Sequence, residues 1–475
     1  MRKKNTNTIL TDVEITDAGA EGNAIARLEN KVIFVPFVVR GDVADIKIVR
    51  SKKSYAEGRA VAIKHFSEKR VPTRCPHFGI CGGCKWQQLN YEDQLRFKQK
   101  QVADNLQRIG KIDTGFMNEI CGSDDIFHYR NKLEFTFSNR RWMTPEEIAD
   151  PDFTPAPNAL GLHIPGLFDK VLNIDYCALQ DDLSNDIRNT VREYAFEKKL
   201  EFYDIRNHTG FLRNIVIRNT QLGEWMVIVI VAQNDSKLLF PLLDFIAERF
   251  PQITSLQYII NEKFNDAYAD LDVICYRGKD HITEIMPRYE TTAEPLHFKI
   301  SPKSFYQTNS KQARKLYGFV ADFAALKGDE TVYDLYTGAG TIANFVAGNC
   351  RKVIGIEYVE DAITDARENS KLNGFDNTVF YAGDMAKILT SEFIKQNGRP
   401  DVVITDPPRA GMHEKVIQQL LETSPARIVY VSCNPATQAR DLALLGEKYA
   451  VRKIQPVDMF PHTQHVENVV LLELK

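Results

Sequence analysis

Between Asn5 and about Phe66, apolar and polar residues alternate in short runs such as Val32-Ile33-Phe34-Val35-Pro36-Phe37-Val38-Val39 and Val43-Ala44-Asp45-Ile46-Lys47-Ile48-Val49. Glycines at Gly19, Gly22, Gly41 and Gly58 fall where turns are needed. Period-two runs broken by turn residues predict a small five-stranded barrel. From Ser67 to about Pro295 the pattern is mixed: a helix is predicted from Tyr91 to Arg108, and strands over 133–138, 214–218 and 225–232. That region reads as α+β. The stretch 143–158, rich in proline and acidic residues, reads as a loop inserted between strands. Beyond about Leu296, strand-like runs at 331–334, 353–357, 379–384, 401–406 and 427–432 alternate with helical text. Strict alternation of this kind predicts an α/β domain with a parallel, doubly wound sheet.

A chain of 475 residues is too long for one ordinary core. Three domains are expected, over 1–66, 67–295 and 296–475. No early stretch joins a basic start, an apolar run and a small-residue cleavage site, and no apolar run is long enough to cross a bilayer. The cytoplasm is therefore the expected compartment, and a monomer the default state.

The net charge of −3 conceals two basic stretches, Met1 to Lys4 and a cluster of Arg50, Lys52, Lys53, Lys64, Lys69 and Arg70. Nucleic acid can bind a local patch of this kind. On charge alone, however, the cluster reads as a solvated surface and a tail, and the acidic overall balance argues against indiscriminate binding of polyanions. Eight cysteines in a long chain without an export signal point to a metal site or catalysis rather than a disulfide framework. Cys121, Cys275 and Cys350 have no such setting and are expected to be buried small hydrophobes.

The strand ending at Asp334 runs into Tyr336-Thr337-Gly338-Ala339-Gly340-Thr341. A glycine turn at the carboxyl end of a parallel strand is where ligands bind, and Gly338 and Gly340 let backbone approach closely. Glu357 ends the next strand, where a carboxylate can accept both hydroxyls of a ribose, and Asp384 after a third strand is the corresponding candidate for an adenine. The Asp-x-x-x-Gly-x-Gly order and the acidic second strand resemble class I S-adenosylmethionine-dependent methyltransferases; the G-x-G-x-x-G of a dinucleotide site is absent. A structural glycine turn in some other α/β domain is the alternative, and the acidic strand ends at regular spacing argue against it.

Asp406-Pro407-Pro408-Arg409 follows an apolar strand and should gather at the same sheet edge. Motifs of this type also serve methyltransferases acting on amino groups, so alone it leaves the target atom open. Cys433, in Ser432-Cys433-Asn434-Pro435, ends the next strand. Amino methylation needs no thiolate. A pyrimidine C5 does, because it becomes nucleophilic only after a thiolate adds at C6. After methyl transfer a base must remove the C5 proton before the thiolate leaves, and Glu467 in His465-Val466-Glu467-Asn468 is the candidate. A buried structural cysteine and an ordinary strand carboxylate are the plain alternatives.

Ser304-Phe305-Tyr306-Gln307-Thr308-Asn309, 334–340, 406–411, 431–437 and His465-Val466-Glu467 together resemble the RNA 5-methyluridine methyltransferase family in order and spacing. The resemblance covers most of the chain. It implies Cys433 as nucleophile, Glu467 as proton acceptor, and Gln307, Tyr336, Glu357 and Asp406 lining the pocket for methyl donor and target base, with Thr341 and Asp384 as further cofactor candidates. It also implies a Rossmann-like catalytic domain. Residues 18–26 resemble the opening turn and strand of the TRAM domain, an OB-like RNA-binding barrel.

Cys75, Cys81 and Cys84 lie in one loop, and Cys177 in Asp175-Tyr176-Cys177-Ala178-Leu179 offers a fourth thiolate. Four thiolates suit zinc or an iron–sulfur cluster. The matching pattern in the bacterial 23S ribosomal RNA branch of the family implies a four-iron, four-sulfur cluster with a structural or RNA-positioning role. The spacing differs from that of radical S-adenosylmethionine enzymes. His128-Tyr129-Arg130-Asn131-Lys132 mixes cations with an aromatic and resembles the family's Tyr-Arg-Asn-Lys/Arg segment, making Tyr129, Arg130 and Lys132 RNA-contact candidates, with Lys85 and Trp86 beside the cysteines similar ones. Tyr129 reads equally well as a core residue. The expected activity is S-adenosylmethionine-dependent methylation of uracil C5 in RNA, on a uridine flipped or unfolded from its stack. Large-subunit ribosomal RNA is the substrate implied, transfer RNA the first alternative; an amino-group methyltransferase and a non-catalytic RNA-binding or assembly factor are readings from other classes.

Overall fold

The computed structural model describes residues 8–28, 31–154, 156–288 and 293–475. The basic stretch Met1 to Lys4 lies outside them, as does Pro155 of the expected loop. The chain forms two compact units: unit 1 holds Met1–Ile126, Cys433–Ala443 and Ile454–Asn468, and unit 2 holds Phe127–Ser432, Leu444–Lys453 and Val469–Lys475.

In unit 1, β1 (Ile9–Ala18), β2 (Ala24–Leu28), β3 (Lys31–Val35), β4 (Val43–Ser51) and β5 (Tyr55–His65) close a barrel in the order β1-β2-β3-β5-β4. Alternate residues Val13, Ile15, Ala24, Ala26, Ile33, Val35, Ala44, Ile46 and Ile48 fill its interior. The run expected to continue to Val39 stops at Val35, because Phe37 turns with φ 60° and the chain is gathered around Asp42. That fully buried carboxylate accepts from the amides of Val39 and Ser67 and from the Arg70 guanidinium. Gly58 is not a turn residue: it lies within β5, where a Cβ would sit 2.4 Å from Ile46 Cγ2 across the barrel. Several members of the basic cluster are likewise spoken for. Arg50 faces Glu57 at 3.5 Å, Lys64 lies 3.1 Å from Asp45 and 3.2 Å from Asp12, Lys69 is 3.6 Å from Asp93, and Arg70 is 2.7 Å from Asp42.

Helix α1 (Tyr91–Arg108) has the predicted bounds; the Asn90 side chain caps it by accepting from the Asp93 amide. Its buried face carries Gln94 and Lys98 as well as Phe97, Val102 and Leu106. Asp93 is buried as well, and these three polar residues were not foreseen.

Unit 2 contains an eight-stranded sheet built from β6 (Lys132–Ser138), β7 (Arg141–Trp142), β8 (Ala159–His163), β9 (Val171–Asn173), β10 (Leu212–Asn219), β11 (Trp225–Val231), β12 (Ile253–Ile260) and β13 (Ile274–Gly278), ordered β13-β12-β11-β10-β6-β8-β9-β7. Residues expected to form only a loop at 143–158 include a short helix, α2 (Pro145–Ala149), which a capping box of Thr144 and Glu147 nucleates. Helices α3 (Asp182–Glu197) and α4 (Ser236–Arg249) follow, then a hairpin of β14 (Ile282–Met286) and β15 (Leu296–Ile300).

The α/β part begins with α5 (Ser310–Ala324), β16 (Thr331–Leu335), α6 (Thr341–Ala347), β17 (Lys352–Glu357), α7 (Glu360–Leu372) and β18 (Thr378–Ala382). It continues through α8 (Met385–Ile388), α9 (Ser391–Asn397), β19 (Val402–Thr405), α10 (Glu414–Thr423), β20 (Arg427–Ser432), α11 (Pro435–Leu445), β21 (Tyr449–Val457) and β22 (Glu467–Leu474). The seven-stranded sheet runs β18-β17-β16-β19-β20-β22-β21, with β16 to β20 parallel. Strand order reverses at β16 and β19. The crevice at their carboxyl ends is the switch point where open α/β sheets bind ligands. Among the described residues no helix is long and apolar enough to cross a membrane.

Cys350 is buried as expected. Cys121 is only half-buried and Cys275 is exposed, its Sγ directed at the carbonyl of Lys279 at 3.4 Å, because β13 lies at the edge of its sheet.

Candidate active site

In unit 2 the five buried residues of β16 end at Leu335, and Tyr336 turns the chain with φ 64°. The amides of Tyr336 and Thr337 both donate to the Ile356 carbonyl, at 2.9 and 3.1 Å, which sews the turn to β17. The two oxygens of Glu357 accept from the amides of Gly338 (3.2 Å) and Val359 (3.0 Å). Each oxygen keeps capacity for one more donor, as a pair of ribose hydroxyls requires. Asn344 Nδ2 donates to the Gly340 carbonyl, and Asn369 Nδ2 to that of Ala339 while its Oδ1 accepts from the Lys299 amide on β15. The Thr341 hydroxyl lies 3.1 Å from that of Tyr317. Asp384 caps α8 through the Ala386 amide. One of its oxygens is thus committed to structure.

Two carboxylates flank the switch point. Asp334, buried, accepts from the Thr337 hydroxyl, and Asp406 follows β19, its amide donating to the Leu335 carbonyl at 3.3 Å. Burial pushes both carboxyls above the usual range, and the charge of Asp334 raises Asp406 further. A cationic sulfonium or a base N–H placed between them would offset that cost.

Gln307 sits in a segment fixed from several sides. Asn131 Nδ2 donates to the Gln307 carbonyl (3.0 Å) and to Ser310 Oγ (2.9 Å), the Asn131 amide donates to the Thr308 carbonyl (2.8 Å), and Ser310 Oγ in turn donates to the buried Glu284. Arg218 donates to the carbonyl of Ser304 at 2.9 Å, and Asp365 accepts from the hydroxyls of Ser301 and Ser304. Held between these anchors, Phe305 is 67% exposed. A large aromatic side chain kept in solvent on a rigid segment is suited to stacking.

In unit 1, Cys433 directly follows β20 and precedes α11; Asn434 Oδ1 accepts from the Ala436 amide and its carbonyl from the Gln438 amide. Glu467, 5% exposed, opens β22. One turn into α11, Gln438 Nε2 donates to the Asn468 carbonyl (3.1 Å) while Asn468 Nδ2 donates to Gln438 Oε1 (2.8 Å). The segments carrying the thiol and the carboxylate are therefore clasped by a reciprocal amide pair, both members fully buried.

Cys75, Cys81 and Cys84 share a turn-rich loop of unit 1, whereas Cys177 belongs to unit 2. The buried Gln87 bridges the loop, accepting from the Cys75 amide at 3.1 Å and donating to Cys84 Sγ at 3.3 Å. An N–H aimed at sulfur is the kind of outer contact that tunes a thiolate-held cluster. The donor chemistry thus fits such a group, although among the described residues no three His, Cys, Asp or Glu side chains are gathered into a ligand set.

Among the RNA-contact candidates, Tyr129 is 7% exposed, so its ring is a core residue rather than a stacking face. Arg130 Nε donates to the Lys132 carbonyl, and burial with the neighbouring Arg218 and Arg130 lowers the half-buried Lys132 amine to about 8. Trp86 is buried with its Nε1 donating to the Gly22 carbonyl, and Lys85 Nζ lies over the Phe37 ring. Sequence reasoning passed over Asn131, Glu284, Arg218, Asp365 and Gln438. Only Asn131 lay inside a recognised motif; the others are polar residues whose partners are distant in sequence.

Residues 273–475 match the family model for tRNA (uracil-5-)-methyltransferase, and residues 10–61 that of the TRAM domain. An uncharacterized RNA methyltransferase of Bacteroides thetaiotaomicron is 58% identical, the alignment covering 96% of this chain and 100% of that protein. One of Chlorobaculum tepidum is 39% identical over 91% of this chain and 89% of its own. Among solved structures, the Pyrococcus abyssi tRNA (uracil-54, C5)-methyltransferase in complex with S-adenosyl-L-homocysteine is 29% identical with a TM-score of 0.73, covering 98% of this chain and 100% of that one. The glycine turn at a switch point and the motifs quoted above are thus found in a chain that belongs to the S-adenosylmethionine-dependent RNA uracil-5-methyltransferase family.

Proposed function

We propose that the enzyme methylates C5 of uridine in 23S ribosomal RNA, with Cys433 as nucleophile and Glu467 as base. The Cys433 thiolate adds to C6 and the electron pair of the C5–C6 bond moves to C5, which attacks the methyl group of S-adenosylmethionine and releases S-adenosylhomocysteine. Glu467 takes the C5 proton, the C5–C6 double bond reforms, and the C6–S bond breaks. Gly338, Gly340 and Glu357 hold the nucleoside of the donor, with Tyr336, Thr341 and Asp384 at its margins; Gln307 and Asp406 face the sulfonium and the uracil, and Phe305 stacks on the base.

The observation that carries this reading is the clasp between Gln438 and Asn468, which joins the segment of the strand-end thiol Cys433 to the segment of the buried carboxylate Glu467. Amino-group methylation would use neither. Cys75, Cys81, Cys84 and Cys177 would hold a four-iron, four-sulfur cluster with a structural or RNA-positioning role; the four-thiolate set and the Gln87 contact to Cys84 support this assignment, and zinc is the alternative occupant. Arg130 and Lys132 contact RNA phosphate.

Transfer RNA is the second reading, favoured by the similarity to the Pyrococcus abyssi tRNA (uracil-54, C5)-methyltransferase. Incubating the anaerobically purified enzyme with labelled S-adenosylmethionine and undermethylated ribosomal or transfer RNA separates the two. Label in 5-methyluridine of 23S RNA is expected; label confined to transfer RNA would replace the substrate, and label on an amino group would refute the reaction.

A further inference from the structure

Within unit 1, the segment that leads to Glu467 is held by an unusual concentration of buried polar contacts. Asp458 and Lys98 are both fully buried and lie 2.6 Å apart. Asp458 also accepts from the Tyr91 hydroxyl (2.9 Å) and the Phe460 amide (3.0 Å), while Lys98 Nζ donates in addition to the Phe460 carbonyl (3.0 Å). Four residues further on, Gln94 Oε1 accepts from the His462 amide (2.8 Å) and Gln94 Nε2 lies 3.2 Å from His462 Nδ1. The carbonyl of His462 accepts from the amides of Lys85 and Trp86, at 2.8 and 3.0 Å, the two residues that follow Cys84. The Thr463 hydroxyl donates to the Phe460 carbonyl and accepts from the His465 amide, which carries the order to within two residues of Glu467.

Tyr91, Gln94 and Lys98 stand at i, i+3 and i+7 on α1, where an apolar stripe would ordinarily face the core. A buried ion pair adds little net stability compared with apolar residues of the same volume, because desolvation consumes most of its attraction. What such a network does impose is one register, since any shift leaves a buried charge or donor without its partner.

We propose that α1 and the end of the cysteine loop position Glu467, and so govern proton removal and release of methylated RNA rather than methyl transfer itself. The proposal rests on the assignment of Glu467 as base. A misplacement of the order of 1 Å can slow a step by roughly a hundredfold. The thiolate would then remain bonded to C6 after C5 has been methylated, and the RNA would stay attached to the protein.

The test uses Tyr91→Phe, which removes one hydrogen bond, and the double variant Lys98→Met/Asp458→Asn, which leaves no buried charge, beside Glu467→Gln. Each full-length enzyme is incubated with methyl-labelled S-adenosylmethionine and undermethylated ribosomal or transfer RNA, and labelled covalent enzyme–RNA complex is quantified on denaturing gels against free labelled RNA. The expected result is accumulation of labelled complex in all three, with release slowed by about tenfold to a hundredfold in the positioning variants. Folded positioning variants that release RNA at the wild-type rate, or that lose methylation without accumulating complex, would overturn the inference while Glu467→Gln still accumulates it. Absence of complex in Glu467→Gln would instead remove the base assignment and the inference with it. If the double variant does not fold, Tyr91→Phe decides alone.

Discussion

Gly338 and Gly340 both have positive φ, 55° and 74°, yet their surroundings differ in a way that separates folding from ligand binding. A Cβ at position 340 would meet Ala366 Cβ at 3.0 Å and Asn344 Nδ2 at 3.1 Å. Gly340→Ala thus combines a left-handed alanine, costing about 1–2 kcal/mol, with overpacking of about 1–3 kcal/mol. The sum is a loss of about 2–5 kcal/mol in stability. A Cβ at position 338 meets no atom within 4 Å. Gly338→Ala should cost about 1–2 kcal/mol from backbone alone, but its methyl group projects beside the amide that holds Glu357, where the donor's nucleoside is expected. Urea unfolding and calorimetric titration with S-adenosylhomocysteine read the two effects. Gly338→Ala should remain folded and bind at least about tenfold more weakly, a difference of about 1.4 kcal/mol. Binding at wild-type affinity by Gly338→Ala would refute this placement of the donor.

The other predictions concern residues that hold the site. Asn131→Ala should raise KM for S-adenosylmethionine by freeing the Gln307 segment, and Asn131→Asp should be worse, because it sets a carboxylate against the Gln307 carbonyl while the Ser310 hydroxyl proton is committed to Glu284; steady-state kinetics of the two variants check the order. His462 is lowered from 6.5 to about 4 by burial and by the charge of Lys98, against a smaller opposing effect of a hydrogen bond with the Ile126 backbone. The unfolded chain therefore binds the proton more readily. Stability from this group is complete above about pH 6.5 and declines by about 3 kcal/mol as pH falls to 4; urea unfolding across that range should show a shallower slope in His462→Gln.

The legibility of this chain depended on how local each signal was. The β20 strand and α1 were placed to the residue, because the periodicity of apolar and polar positions is read within a few positions. Gly338, Gly340 and Glu357 could be grouped from the sequence because a glycine turn and an acidic strand end recur at the spacing of a βαβ unit, and the Gly338 amide does donate to Glu357. The basic cluster was read as a solvated surface, but its pairing with Asp42, Asp45 and Asp93 was not legible, because those carboxylates approach it only after folding. Nothing local marked Lys98 and Gln94 as buried residues of α1. Their partners, Asp458 and His462, lie more than 300 positions away, and no periodicity could have named them. Tyr129 carried a motif that suited RNA equally well, and burial alone decided for the core.

The most direct test of Cys433 as the nucleophile uses RNA in which uridine is replaced by 5-fluorouridine, since fluorine at C5 cannot be removed as a proton and elimination is blocked. Incubation with S-adenosylmethionine, denaturing electrophoresis and mass spectrometry of the digested complex should find a methylated nucleotide bonded to Cys433, and no complex with Cys433→Ala. A complex that persists in Cys433→Ala, or sustained methylation of ordinary RNA by that variant, would contradict the assignment of the nucleophile.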